Sequence, residues 1–175
     1  MKKGAILVVL VCGILGFFVS SLFAQAITLS HDTVDVFTSV KPVTLIIFVN
    51  NACQSCLNEL AKWTVDAKID TAKCRVICLV GTAPNGYARR KSIQSLRPLF
   101  ESAEIVFDKQ ADVTLMRSDA AYVLAKQFNI TATPSVLIWK NSRLALLLKY
   151  ETLFDPTGIL SPNSIRIMLP LLKSK

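Results

Sequence analysis

Cys53 and Cys56 stand in a C-x-x-C spacing inside Val43–Leu60, VTLIIFVNNACQSCLNEL. Two thiols one helical turn apart can exchange a disulfide with another protein: Cys53 attacks, and Cys56 resolves the mixed disulfide. At the first turn of a helix the positive end of the backbone dipole favours a thiolate, which lowers a thiol pKa. The same spacing serves two other purposes. A zinc site needs four ligands, and Cys74 and Cys78 would complete C-x2-C…C-x3-C with 17 residues between the halves. The second half argues against metal, because Cys74–Val80, CRVICLV, is strand-like and lacks the turn residues of a metal knuckle. A purely structural disulfide at this spacing closes too small a loop to stabilise much. The redox pair is therefore the expectation, with a metal- or client-binding module lacking redox turnover as the alternative.

The remaining candidates are weaker. Cys74 and Cys78 on one strand would share a face roughly 13 Å apart, at ~3.3 Å per residue. A disulfide needs Cα atoms within about 7 Å, so the two are expected unpaired, as small buried hydrophobes. Pro134, in ITATPS, opens a strand, an ordinary place for proline. The functional alternative is a cis peptide that presents the Thr133 backbone to an extended client segment. His31 is the only histidine, so a Cys–His hydrolase or a histidine-rich metal site has little support. Trp63 and Trp139 read as packing residues, and Asp108 and Asp112 as loop residues after a strand. There is no glycine-rich phosphate loop.

These side chains need a scaffold, and the hydrophobic pattern supplies one. Val43–Val49 and Cys74–Val80 are unbroken apolar runs, the signature of strands covered on both faces. From Cys53, apolar Leu57, Leu60, Ala61 and Val65 recur at helical spacing to about Lys68. A loop over 81–86 leads to a helix over Tyr87–Phe100, with Pro98 near its end, and a short strand over Glu104–Phe107. A helix ends near Asn129, Ser135–Trp139 and Arg143–Leu148 form two strands, and Pro162–Leu172 has helical patterning. Val34 and Val36 mark a possible edge strand in the lead-in. The order β-α-β-α-β-α-β-β-α describes an α/β domain with a central mixed sheet flanked by helices.

The chain has 175 residues, 52% of them hydrophobic, and a net charge of +8. Part of the apolar excess is N-terminal. Met1-Lys2-Lys3 is basic, Ile6–Val19 is apolar, and Ala24-Gln25-Ala26 fits the small-x-small rule for signal peptidase. Residues 1–26 are expected to be a signal peptide, with 27–175 as the mature domain. The rival is an uncut anchor, since residues 4–26 exceed the ~20 that span a bilayer. In both cases the domain lies outside the cytoplasm, periplasmic or secreted. Cleavage removes Lys2, Lys3 and no acid, so the balance falls from +8 to +6. It also discards Cys12, leaving four cysteines where disulfides persist. Arg89-Arg90-Lys91 has no alternating aromatics and reads as a solvated face, so no nucleic-acid partner is expected.

Lys41-Pro42-Val43 before the central strand, Cys53-Gln54-Ser55-Cys56 opening a helix, and Thr133-Pro134-Ser135 before a hairpin together resemble the thioredoxin-like superfamily. The resemblance covers about Val34–Leu172. The helix and strand between Gly81 and Asp108 look like the insertion of exported TlpA/ResA-type thiol–disulfide oxidoreductases. The resemblance implies a thioredoxin-like fold with Cys53 as nucleophile, Cys56 as resolving thiol and Thr133-Pro134 as the substrate-binding turn. It also implies client proteins bearing disulfides or thiols, and a thiol electron donor or acceptor in or outside the membrane. The membrane itself is a partner only if the N-terminal segment stays uncut. No metal is implied, and no cofactor beyond the Cys53–Cys56 disulfide. Two positions depart from the pattern: Ala52 stands where tryptophan is usual, and Gln54-Ser55 is an uncommon dipeptide. The peroxidase branch of the superfamily carries threonine where Asn50 stands, so peroxidase activity is not expected.

Overall fold

The computed structural model describes residues 25–27, 33–49, 53–81, 86–108 and 123–173. Cys12, His31, Asn50, Ala52 and Asp112 lie outside them, as do residues 1–24 of the expected signal segment. Among the described residues no helix is long and apolar enough to cross a membrane.

The strands are β1 (Gln25–Ile27), β2 (Thr33–Asp35), β3 (Val43–Val49), β4 (Cys74–Val80), β5 (Glu104–Asp108), β6 (Ser135–Lys140) and β7 (Arg143–Leu148). The helices are α1 (Gln54–Asp66), α2 (Gly86–Leu96), α3 (Val123–Gln127), α4 (Tyr150–Leu153) and α5 (Pro162–Leu172). One sheet of seven strands runs in the order β2-β1-β5-β4-β3-β6-β7. β3, β4 and β5 are parallel, while β6 and β7 are antiparallel additions. The sheet is mixed, as the element order implies, and a helix and a strand, α2 and β5, stand between Gly81 and Asp108 as expected.

Every residue of β3 is buried because the sheet is covered on both faces. Alternate β3 residues supply two cores. Val43, Leu45, Ile47 and Val49 face the layer built by Leu57, Leu60 and Trp63 of α1 with Met168 and Leu172 of α5. Ile46 and Phe48 face Leu124 of α3 and Val36 of the lead-in. Full burial of each such side chain is worth about 1.5–3 kcal/mol. Trp63 is a core residue, and Trp139 stacks on Phe37 at 4.4 Å, so both tryptophans pack as expected.

Helix ends have local causes. α2 stops at Leu96 rather than at Phe100, because Pro98 disfavours helical backbone at Arg97. Two polar residues differ from expectation. Asp108 is the last residue of β5, not a loop residue, and is 6% exposed; its carboxylate accepts the backbone N–H groups of Leu124 and Ala125. It therefore satisfies the orphan donors at the start of α3. Arg89 is not solvated either: it is buried, with its guanidinium 5.6 Å from the centre of the Phe107 ring. Arg90 and Lys91 remain exposed.

Candidate active site

β3 runs into the cysteine segment, and its C-terminal end therefore sets where the sulfurs sit. Cys53 caps α1: its carbonyl accepts the Leu57 N–H at 3.1 Å, and its Sγ accepts the Cys56 N–H at 3.3 Å. The Ser55 hydroxyl lies 3.4 Å from Cys53 Sγ. Cys53 and Cys56 are joined in a disulfide with their Cα atoms 5.4 Å apart. A disulfide sulfur carries no hydrogen, so Ser55 is the donor in that contact. α1 has no acidic residue in its first turn, so no carboxylate there competes with a sulfur anion for the positive end of the helix.

The two sulfurs occupy different environments. Cys53 is half-buried, whereas Cys56 is 1% exposed. Its Sγ lies 3.6 Å from the Tyr150 hydroxyl. A Cβ placed on Gly158, which sits at φ +81°, would come 3.6 Å from the same sulfur. That glycine belongs to a turn organised by Asp155, whose Oδ1 accepts the Thr157 hydroxyl and the Thr157 and Ile159 N–H groups. The Thr157 hydrogen bond, followed by that from Ile159, holds the Asp155 carboxyl below its ordinary range.

The other expected site residues reach the same edge of the sheet through β6. Ser135 pairs with Phe48, and the register carried one step further puts Pro134 opposite Val49, the last residue of β3. The Thr133–Pro134 peptide is cis, Pro134 is buried, and Thr133 is half-buried. Ser135 donates through its hydroxyl to the Ala132 carbonyl at 2.8 Å and accepts the Tyr150 N–H at 3.1 Å. The structure thus brings Cys53, Cys56, Thr133 and Pro134 to one end of the sheet, and adds Tyr150, Gly158 and Ser135. No local pattern marks Tyr150, which meets a sulfur 94 residues away.

Cys74 and Cys78 are excluded from this cluster. Cys74 pairs with Val43, at the opposite end of β3 from Cys53, and Cys78 pairs with Ile47. Both are buried free thiols. Burial pushes Cys74 up to about 11 and Cys78 up to about 12. No group of three or more potential metal ligands is present among the described residues. Two surface hollows, of about 240 and 480 Å³, are lined by neither cysteine of the pair.

No family model matches the chain, and no curated protein sequence matches it. Solved structures do. A thioredoxin-like protein from Aeropyrum pernix superposes with a TM-score of 0.57 at 13% identity, over 94% of this chain and 98% of its own. A thiol-disulfide isomerase from Corynebacterium glutamicum gives 0.55 at 14% identity, over 78% and 84%. The thioredoxin domain of a thiol-disulfide oxidoreductase from Bacteroides vulgatus gives 0.57 at 10% identity, over 85% and 92%. The chain has the thioredoxin-like fold. In this thioredoxin-like domain the C-x-x-C pair opens the helix after a central strand, where open α/β sheets place their ligands.

Proposed function

We propose that the protein is an exported thiol–disulfide oxidoreductase that acts on protein disulfides, with reduction as its direction. The carrying observation is the asymmetry of the Cys53–Cys56 pair at the α1 N-terminus, Cys53 half-buried and Cys56 enclosed. Cys53 is the nucleophile, because an attacking thiolate must reach its client and is favoured by the helix end. Cys56 resolves the mixed disulfide from inside. The Thr133–Pro134 backbone, at the same sheet end, offers its polar groups to an extended client segment. Electrons reside in the sulfur pair, so the reaction needs no further cofactor, only a thiol donor that restores the dithiol. The thiol-disulfide isomerase and oxidoreductase named above, which share the fold, support this assignment by analogy.

The N-terminal boundary belongs to the same proposal. Ala26 is wholly buried and pairs with Val34 of β2 and Asp108 of β5. Cleavage after Ala26 would leave only Ile27 of β1, whereas an uncut anchor retains the whole strand. The N-terminal sequence of exported protein distinguishes the two forms.

Redox titration of the domain against glutathione or dithiothreitol, with thiols counted at each step, tests the function. A reversible two-thiol transition that is lost in Cys53→Ser is expected. A potential near about −270 mV supports reduction, and one near about −120 mV would reverse the direction to oxidation. Absence of any reversible transition, or stoichiometric metal held by Cys53 and Cys56, would overturn the assignment.

A further inference from the structure

A resolving thiol that is buried has a chemical difficulty. It must become an anion to attack, and burial disfavours the anion. The contacts around Cys56 address this difficulty. We propose that Tyr150 is a further catalytic residue: its hydroxyl holds the Cys56 sulfur by a hydrogen bond and supports negative charge there while the mixed disulfide on Cys53 is resolved. The inference rests on the redox function above and deepens it.

Three observations fix the Tyr150 hydroxyl where it is needed. It lies 3.6 Å from Cys56 Sγ. Its own backbone N–H is tied to Ser135 Oγ, which is tied in turn to the Ala132 carbonyl. Its ring packs on Phe154 at 5.3 Å. Gly158 also approaches the sulfur, close enough that a Cβ there would lie 3.6 Å from it.

Other ionisable groups stand on the elements around Cys56, and among the described residues none of them hydrogen-bonds the sulfur. Glu59 follows on α1, Lys149 and Glu151 flank Tyr150, and the Asp155 carboxylate is engaged by Thr157 and Ile159. β3 carries no charged residue, and Lys140 of β6 pairs with Val43 at the far end of that strand. Among the described residues Tyr150 is the only side chain that hydrogen-bonds Cys56 Sγ.

Cys53 thiolate forms a bond to one sulfur of the client disulfide, and the other client sulfur leaves with the electron pair. Cys56 then gives up its proton, through solvent, to the client thiolate that has left, and forms a bond to Cys53 Sγ. The Cys53–client bond breaks, the pair goes to the client sulfur, and that sulfur takes a proton from solvent. Two electrons pass from the protein dithiol to the client. Tyr150 donates a hydrogen bond throughout and keeps its own proton.

Tyr150→Phe removes the hydroxyl and keeps the ring. The first measurement is the ionisation of Cys56 in reduced Cys53→Ser protein, followed by the carbon-13 shift of its Cβ. Cys74 and Cys78 stay protonated to about 11 and about 12, so they do not obscure it. A hydrogen bond to a charged group implies a midpoint raised by about one pH unit in Tyr150→Phe. The second is resolution of a Cys53–thionitrobenzoate mixed disulfide. It should slow about tenfold at neutral pH and converge on the unmodified chain at high pH. An unchanged midpoint, or a rate loss equal at every pH, would overturn the inference. If Tyr150→Phe does not fold, 3-fluorotyrosine at position 150 provides the opposite test: a stronger donor must lower the midpoint. Failure of the reversible two-thiol transition would sink the redox function itself, whereas the carbon shift reads the hydrogen bond independently.

Discussion

The buried thiols of β4 make the stability of this domain depend on alkaline pH in a calculable way. Burial raises Cys74 from 9.0 to about 11 and Cys78 from 9.0 to about 12. A raised value means the folded chain holds these protons more tightly than the unfolded chain. Their contribution to stability is therefore complete below about pH 9 and is lost as pH climbs toward each folded value. Each thiol costs up to about 1.4 kcal/mol per pH unit inside that window. At about pH 10.5 the loss is about 2 kcal/mol per thiol, a large share of the about 5–15 kcal/mol that holds a domain together. Urea unfolding of the oxidised protein at several pH values between 7.5 and 10.5, compared with Cys78→Ala, isolates the effect. Every other group is common to both proteins and cancels in the difference. Cys78→Ala should begin less stable, through the space it leaves in the core, and gain on the unmodified protein by about 2 kcal/mol toward pH 10.5. A difference that stays constant with pH would refute burial as the cause. The same argument predicts that Cys74 and Cys78 escape labelling when the native reduced chain meets a thiol reagent at pH 7.

Other perturbations read other parts of the structure. Ser55→Ala removes a donor to Cys53 Sγ and should move the midpoint of Cys53 alkylation upward by about half to one pH unit, because hydrogen bonds to ionised groups are the stronger ones; equal midpoints would deny Ser55 that role. Arg75→Met breaks a two-pronged pair with Glu104 and two hydrogen bonds to the Asp35 and Thr38 carbonyls. It should cost about 1–3 kcal/mol and expose the amides after β2 to hydrogen exchange, while Glu104→Gln should cost less than about 1 kcal/mol because that carboxylate is half exposed. Asp108→Ala leaves the Leu124 and Ala125 N–H groups without their carboxylate and should cost about 1–3 kcal/mol, with exchange protection lost first in α3; undiminished protection there would count against the cap.

What the sequence displays depends on how far apart the cooperating residues lie. β3 and β4 are legible because burial on both faces demands an unbroken apolar run. The cysteine pair is legible because its spacing matches one turn of the helix that carries it. β1 escapes notice because three residues hold no periodicity, and Gln25–Ile27 also sits where a signal-peptidase pattern ends. The four residues of α4 are equally silent. Asp108 looks like a loop residue until the partners of its carboxylate, 16 and 17 positions away, are known. Arg89 reads as surface charge because nothing local announces Phe107 beneath it.

Tyr150 shows why the second half of an active site is harder to read than the first. Cys53 and Cys56 are positioned by one strand and one helix, so spacing alone conveys their chemistry. The partner of Cys56 arrives after β7, fixed by the Ser135 hydroxyl and by packing of its ring on Phe154. In the proposed reaction a sulfur enclosed in this way is shielded from solvent thiols, which keeps resolution intramolecular and suppresses competing exchange at Cys56. Enclosure also raises the energy of the anion that resolution requires. A neutral donor that reaches the buried sulfur adds to the helix end and lets the fold combine shielding with reactivity, whereas a buried cation would carry its own desolvation cost. A tyrosine hydroxyl meets that condition, and the backbone bond from Tyr150 to Ser135 couples its placement to the strand that also carries the Thr133–Pro134 turn.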